Sequence, residues 1–381
     1  MLASFLVLAA TVTSLYSFRG APDGAQPFGE LVMDGKRTLF GTTSQGGSAA
    51  CACGTVFELT RSGAGYREAY VYSFSGSDGS TPLGAVVVDG SGNLYGTTNA
   101  GGAYGLGTVF ELSPSGSGFV ETVLHSFSGP PDGANPQDPL IADASGTLFG
   151  TTSAGGTANF GTAFALVPGP SGYSENVLYS FQGGNDGQAP VGRLLEDSSG
   201  NLFGSTDGGG PSGAGTVFRL SPQGSGYAES VLFAFDLRNG LYPLAGLIED
   251  ASGNLFGTTF FDGQTNRGNV FELSAGSAYS FTSIDGFTKK HDEGANPHGD
   301  LLFGPKGVIY TTTESGGKYG SGTIIKLTPT HPGYRETILF DFLPSTLGPE
   351  AGLIADGSGK LYGTSGGGGD HGAGFAFEAV P

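Results

Sequence analysis

Residues 82–127 read P-L-G-A-V-V-V-D-G-S-G-N-L-Y-G-T-T-N-A-G-G-A-Y-G-L-G-T-V-F-E-L-S-P-S-G-S-G-F-V-E-T-V-L-H-S-F. Four short runs rich in Val, Leu, Thr, Phe and Tyr are separated by clusters of Gly, Ser, Asn and Asp. That alternation is the pattern of strands and turns. The D-x-S-G-N type of turn supplies a Gly able to take the left-handed conformation that a tight hairpin needs. A second Gly-rich turn, S-G-S-G-F from Ser115, does the same between the last two runs.

Every phrase of this stretch returns along the chain. The L-Y-G-T-T phrase starts at Leu39, Leu94, Leu148, Leu202, Leu255, Ile309 and Leu361, in steps of 55, 54, 54, 53, 54 and 52 residues. The G-T-V-F-E-L phrase follows each time, at Gly54, Gly107, Gly161, Gly215, Gly268, Gly322 and Gly374. A Pro opens each P-x-G-x-L-I-x-D phrase, at Pro27, Pro82, Pro136, Pro190, Pro243, Pro297 and Pro349. The run ending in Phe closes at Phe18, Phe74, Phe127, Phe181, Phe235 and Phe342. For the remaining copy, Tyr279-Ser280-Phe281 imitates the motif, but the spacing selects Phe287. An aromatic stands eight residues before the Phe in five other copies, and Tyr279 stands eight before Phe287.

A four-stranded antiparallel unit of about 54 residues, repeated, is the signature of a propeller blade, because stacked blades bury both faces of each sheet. The expected fold is all-β: a seven-bladed β-propeller of four-stranded antiparallel blades. We call the strands a (after the Pro), b (L-Y-G-T-T), c (G-T-V-F-E-L) and d (ending in Phe). The sequence starts inside a d strand and stops after a c strand. Closure therefore requires the first d strand, Val12–Phe18, to pair with the last c strand, Phe375–Ala379, which also removes free sheet edges. Residues 12–381 are expected to form one domain, and residues 1–11 read as the remnant of an export signal.

Composition agrees and excludes other classes. The chain holds 72 Gly and 21 Pro in 381 residues, which long helices could not tolerate. With 16 basic against 34 acidic side chains the net charge is −18, the wrong sign for a nucleic-acid binder. The 28 Phe and 15 Tyr are too many for a disordered chain.

The combination V-L-Y-S-F-x-G-x-D-G, P-x-G-x-L-I-x-D-x-S-G-N-L-Y-G-T-T and G-T-V-F-E-L resembles the GloVer tandem repeat of exported bacterial proteins, over essentially the whole chain. The resemblance implies a secreted or surface-anchored protein, often with a C-terminal sorting anchor, and brings no established catalytic residues. Here Pro381 follows the last strand directly, without an anchor helix. The apolar run Leu2–Ala10 resembles the h-region of a signal peptide, though no Lys or Arg precedes it; extra edge strand is the alternative. No stretch reaches the ~20 apolar residues of a membrane span. The two cysteines, Cys51 and Cys53, are too few for a four-coordinate zinc site and are read as either an oxidised Cys-x-Cys ring or a free pair. An extracellular or periplasmic monomer is expected.

In this phase the d–a and b–c loops emerge on one face, around the mouth of the central channel. The d–a loops carry Asp23, Asp78, Asp132, Asp186 and Asp292. A residue repeated in nearly every blade serves the blade, here by accepting backbone hydrogen bonds in the turn; a calcium site is the alternative, and no other cofactor is expected. Positions that vary between blades are better places for recognition. Three residues after the Pro the chain reads Glu30, Ala85, Pro139, Arg193, Gly246, Asp300 and Gly352. Directly after it stand Phe28, Leu83, Gln137, Val191, Leu244, His298 and Glu350. Glu30, Arg193, His298, Asp300 and Glu350 thus break an otherwise small or apolar ring, either as a binding or acid–base site or as a solvated rim of salt bridges. His371, in the b–c loop of the last blade, is a further candidate for the channel face. His125, which replaces the Tyr of L-Y-S-F, His291 and His331 read as structural or solvated.

The function expected from these residues is an exported binding module taking a carbohydrate or an extracellular protein at the channel mouth. The alternative is a carbohydrate-active enzyme, a polysaccharide lyase or glycoside hydrolase, and a purely structural surface-layer role comes third. Fold alone does not choose between them.

Overall fold

The computed structural model describes residues 10–381 except 64, 225, 263, 289–292, 332 and 345–346. Seven antiparallel sheets follow one another, each with the order a-b-c-d. Blade 2 is representative: Val87–Val88, Leu94–Thr98, Thr108–Ser115 and Gly118–Ser126. Strand a is only two residues long in five blades, but in blade 4 it runs continuously from Gln188 to Glu196. Among the described residues there is no α-helix; one 3₁₀ turn, Pro305–Gly307, replaces the a–b Asp turn in blade 6. The apolar run Leu2–Ala10 lies outside the described residues except for Ala10.

The seventh sheet contains both ends of the chain. Thr11–Ser17 pairs antiparallel with Phe375–Val380, from Thr11 opposite Val380 to Ser17 opposite Phe375. Phe18 then donates its N–H to the Gly374 carbonyl at 2.9 Å. Phe74, Phe127, Phe181, Phe235, Phe287 and Phe342 make the same bond to Gly54, Gly107, Gly161, Gly215, Gly268 and Gly322. Phe287, with no exposed surface, is thus the sixth equivalent, and Phe281 instead stacks on Phe233.

These phenylalanines seal the blade seams. Phe18 meets Phe57 of the next blade edge-on at 4.9 Å, and the contact recurs at Phe74–Phe110, Phe127–Phe164, Phe181–Phe218, Phe235–Phe271 and Phe342–Phe377. Each fully buried Phe contributes about 1.5–3 kcal/mol by area, and each edge contact about 0.5–1.5 more. The Gly of L-F-G-T-T exists because of the c-strand Phe. Gly204 lies opposite Phe218 in the sheet, and a Cβ there would stand 2.5 Å from the ring. In blade 6 both members change together: Thr311 faces Ile325, and neither has exposed surface.

Adjacent blades are also tied by hydrogen bonds. In five blades the first hydroxyl residue of the T-T phrase reaches the next blade. Thr42 donates to the Gly84 carbonyl at 2.9 Å, and Thr364 donates across the closure to Gly29 at 3.1 Å, whereas Thr151 and Thr258 make no such bond among the described residues. The residue before each Pro from Pro27 to Pro297 takes a positive φ, including the β-branched Thr81 at 57°. Its N–H goes to the preceding b–c loop, Thr81 to Cys53 and Asn135 to Leu106, both at 2.8 Å. Asn135 adds a side-chain bond to the Asn99 carbonyl at 3.0 Å, which Thr81 does not make. Left-handed backbone costs a β-branched residue roughly 1–2 kcal/mol, and Asn tolerates it best among residues with a side chain. Thr81→Asn is therefore expected to raise the denaturation midpoint, with a gain of about 1 kcal/mol; a lower midpoint would contradict this reading of the turn.

The channel mouth as candidate functional site

The antiparallel order places d–a and b–c loops on one face and a–b and c–d hairpins on the other. On the first face, the segments that enter strand a surround the axis. They enclose a cavity of about 300 Å³, within the range of small-ligand sites. Glu30, Arg193, His298, Asp300 and Glu350 all line it, together with Phe28, Leu83, Gln137, Asp138, Val191 and Leu244. His371 does not; it is exposed in its loop.

Arg193 is the centre of the constriction. From blade 4 it reaches across the axis to blades 1 and 6, with Nη1 3.5 Å from Glu30 Oε2 and Nη2 3.2 Å from Asp300 Oδ2. Its side chain remains 38 % exposed while the two acids are about nine-tenths buried. Small residues make room for the acids. Glu30 Oε1 lies where a Cβ on Gly352 would have to sit, and Asp300 Oδ1 accepts the Gly246 N–H at 2.6 Å. Burial and the neighbouring Asp300 hold the Glu30 carboxyl well above the usual range, against the pull of Arg193. Asp300, and secondly Glu30, hold the Arg193 guanidinium in its charged form more firmly than usual. Beyond the bridge the channel continues as a second cavity of about 710 Å³ that the aliphatic side chains Val32, Ile141, Leu195 and Ile248 help to line.

Two further carboxyls face the mouth. Burial pushes Glu350 up to about 7, helped by Glu314. Asp138 is pushed up to about 7, chiefly by burial, although the Gly192 N–H works the other way. Asp138 Oδ2 and Thr151 Oγ1 are both buried, and the Thr151 hydroxyl is a further group that pulls the Asp138 carboxyl down. Asp138 is absent from the sequence-based candidates. Its signal was nevertheless present: two residues after the Pro the register reads Gly29, Gly84, Asp138, Gly192, Ala245, Gly299, Ala351, with one charged member. His298 Nδ1 stands 3.1 Å from the Glu350 carbonyl oxygen.

The d–a turn aspartates sit in separate blades. Asp23 accepts the Tyr16 hydroxyl at 2.8 Å and the N–H groups of Arg19 and Gly24. Asp78 accepts Tyr72 Oη and Ser75 N–H, and Asp186 accepts Tyr179 Oη and Gln182 N–H. Asp132 meets His125 Nε2 at 3.1 Å, with N–H donors from Ser128 and Gly133. These are the bonds of turn capping. Asp292, like His291, lies outside the described residues. Among the described residues no three His, Cys, Asp or Glu side chains cluster as a metal would require.

Each of these turns also faces a glutamate on the d strand of the following blade. Burial first, and then Asp23, Asp78 and Asp186 respectively, push Glu68, Glu121 and Glu229 up to about 7 from 4.5. The unfolded chain releases these protons near 4.5 while the folded chain keeps them to about 7, so stability falls as pH rises through that interval. The a–b turn aspartates Asp89, Asp143, Asp197 and Asp356 have lowered carboxyl pKa values through backbone and side-chain hydrogen bonds that outweigh burial, and act oppositely below about pH 4. Thermal midpoints should therefore peak near about pH 4.5–5 and decline by about pH 7.5. A midpoint that climbs steadily across that interval would contradict the assignment of these pairs.

Taken together, a closed seven-bladed propeller with a polar pocket on its axis defines an interaction or binding module in the general sense. The family model for the Gloeobacter/Verrucomicrobia repeat matches residues 5–141, 117–292 and 230–381, and the chain belongs to that repeat family. No curated protein matches the sequence. Among solved structures, a candidate 6-phosphogluconolactonase from Bacteroides fragilis is similar with a TM-score of 0.56 at 11 % identity, over 92 % of this chain and 98 % of its own. A candidate oxidoreductase (glucose dehydrogenase) from Thermus thermophilus gives 0.48 at 14 %, over 97 % and 100 %. Likeness at such identity concerns the fold.

Proposed function

We propose that the protein is an exported binding module that takes a saccharide at the channel mouth. The observation that carries this reading is the 300 Å³ axial cavity, ringed by polar side chains that the repeat itself does not require. Residues demanded by blade architecture recur in nearly all copies; Glu30, Gln137, Arg193, His298, Asp300 and Glu350 each occur once in their register. A polyhydroxylated ligand matches a site with donors and acceptors around a small apolar rim of Phe28, Leu83, Val191 and Leu244. Four exposed aromatic side chains, Tyr104, Phe160, Tyr242 and Tyr319, stand on loops of the same face, where sugar rings could stack as the chain leaves the pocket. Export accords with the Cys51–Cys53 disulfide, since such bonds persist in oxidising compartments.

One observation favours the enzymatic alternative: Glu30, whose carboxyl is held above the usual range by burial and Asp300, shares the Arg193 guanidinium with Asp300, a pairing suited to acid–base chemistry. A panel of polysaccharides, assayed for retention of the protein and for release of reducing ends, separates the two. Retention without release is the expected result, weakened about tenfold or more by His298→Ala. Release abolished by Glu30→Gln would establish the alternative, and failure to retain any polysaccharide would overturn both.

A further inference from the structure

We propose that Cys51 and Cys53 form a thiol–disulfide exchange site, which passes its disulfide to a pair of cysteine thiols on a partner protein. The pair belongs to blade 1 alone. Fifteen residues separate Leu39 from Gly54, and thirteen separate the equivalent Leu or Ile from its Gly in each of the other six blades. The two additional residues lie in the b–c loop and accommodate the C-A-C run, whose sulfurs are bonded across a single intervening residue. A ring that short removes little entropy from the unfolded chain, so the bond adds little to stability. Nor does the turn need it. The Cys53 carbonyl accepts the Thr81 N–H at 2.8 Å, as the Leu106 carbonyl accepts Asn135 and the Phe160 carbonyl accepts Ala189 in loops without a cysteine. Backbone bonds from Cys51 and Ala52 to the Ser48 carbonyl anchor the loop as well.

What the insertion supplies is reactivity. Cys51 and Ala52 are exposed on the loop, while Cys53 is 8 % exposed and belongs to the same core cluster as Phe74 and Val86. An incoming thiolate therefore meets Cys51 first. Ala52, inside the ring, is left-handed at a φ of 51°, in a position that the other blades fill with Gly105, Asn159, Gly213, Asn266, Gly320 and Gly372. A Cβ without a local polar group is disfavoured there, so the closed ring holds a backbone strain that its opening releases. Exposure and strain both make a disulfide easier to reduce. In the exchange a partner thiolate attacks Cys51 Sγ, the Cys51–Cys53 bond breaks, and its electron pair leaves on Cys53, which takes up a proton. The partner's second thiolate then attacks the partner sulfur of the mixed disulfide, and Cys51 leaves and is protonated in turn. The partner dithiol gives up two electrons and two protons, and the Cys51–Cys53 pair gains both. A low-molecular-weight disulfide closes the ring again by the same exchange.

The chain has two cysteines, so every thiol it exposes is assignable. The test mixes the intact oxidised protein with an excess of a reduced peptide carrying two cysteines, stops the exchange by alkylation and counts thiols by mass spectrometry. The expected result is about one peptide disulfide formed per protein chain, with Cys51 and Cys53 both alkylated. With oxidised glutathione added, peptide oxidation should continue at about tenfold or more the rate that oxidised glutathione alone sustains. Cys51→Ser and Cys53→Ser should each fall to that lower rate. The double variant Cys51→Ser/Cys53→Ser should melt within about 2 °C of the intact protein, which separates lost exchange from lost fold. A peptide left reduced, or oxidised as fast by either single variant, overturns the proposal. A larger drop in the midpoint of the double variant also overturns it, by assigning the bond to stability. Two thiols in the purified protein that oxidised glutathione does not close overturn it as well. Sugar retention does not enter any of these measurements, so the saccharide reading stands or falls separately.

Discussion

Gly204→Thr is expected to destabilise the propeller by about 3 kcal/mol, and Phe218→Ile in the same chain to return at least half of that loss. The reasoning starts from the sheet register, in which Gly204 of strand b faces Phe218 of strand c. A Cβ at Gly204 would lie 2.5 Å from Phe218 Cζ and 3.0 Å from Leu194 Cδ2, and both residues are almost fully buried. Neither ring nor leucine can retreat, because Phe218 is pinned edge-on by Phe181 at 5.0 Å. Overpacking of this kind typically costs about 1–3 kcal/mol and sometimes more. Blade 6 shows the compensated state, with Thr311 opposite Ile325 and the Thr311 hydroxyl donating to the Gly299 carbonyl at 3.2 Å. Denaturation midpoints of the two single variants and the double variant measure the coupling directly. Simple additivity of the two single losses would show that the blade 6 pair is not a compensated swap.

That pair also illustrates what a single sequence makes legible. Repetition works as an internal alignment: Gly with Phe in six blades, Thr with Ile in blade 6 alone, read off one chain. The same comparison separated blade-forming residues from the odd members of each register, and five of those odd members, Glu30, Arg193, His298, Asp300 and Glu350, line one cavity. His371 shows the limit. It occupies a b–c loop, and b–c loops stand over the middle of a blade, so sharing a face with the mouth did not bring it to the axis. Asp138 was missed because attention to the first and third positions after Pro skipped the second, where small residues dominate. The cross-channel reach of Arg193 could not be read either. It depends on side-chain length measured against the diameter of the ring, a quantity set by all seven blades at once.

Loss of the first strand is the second large effect expected. Thr11–Ser17 is the only strand of blade 7 that comes from the other end of the chain. Removing residues 1–18 strips Phe375–Val380 of its outer partner and exposes a fresh sheet edge. It also removes Phe18, which has no exposed surface and fills the seam against Phe57. That side chain alone accounts for about 3–5 kcal/mol, a large part of the roughly 5–15 kcal/mol that holds a typical domain together. The Thr364 bond to Gly29 and the Glu30 approach to Gly352 cross the same seam, so the mouth should loosen with it. Restoring residues 10–18 after Pro381 through a short flexible linker should recover the loss, since strand d would then be supplied from the same end as strand c.

The decisive measurement is the thermal melt of the chain lacking residues 1–18, set beside the intact protein. Closure of seven blades by the two tails predicts a markedly lower midpoint and a broadened transition. An unchanged, sharp transition at the intact protein's midpoint would contradict it.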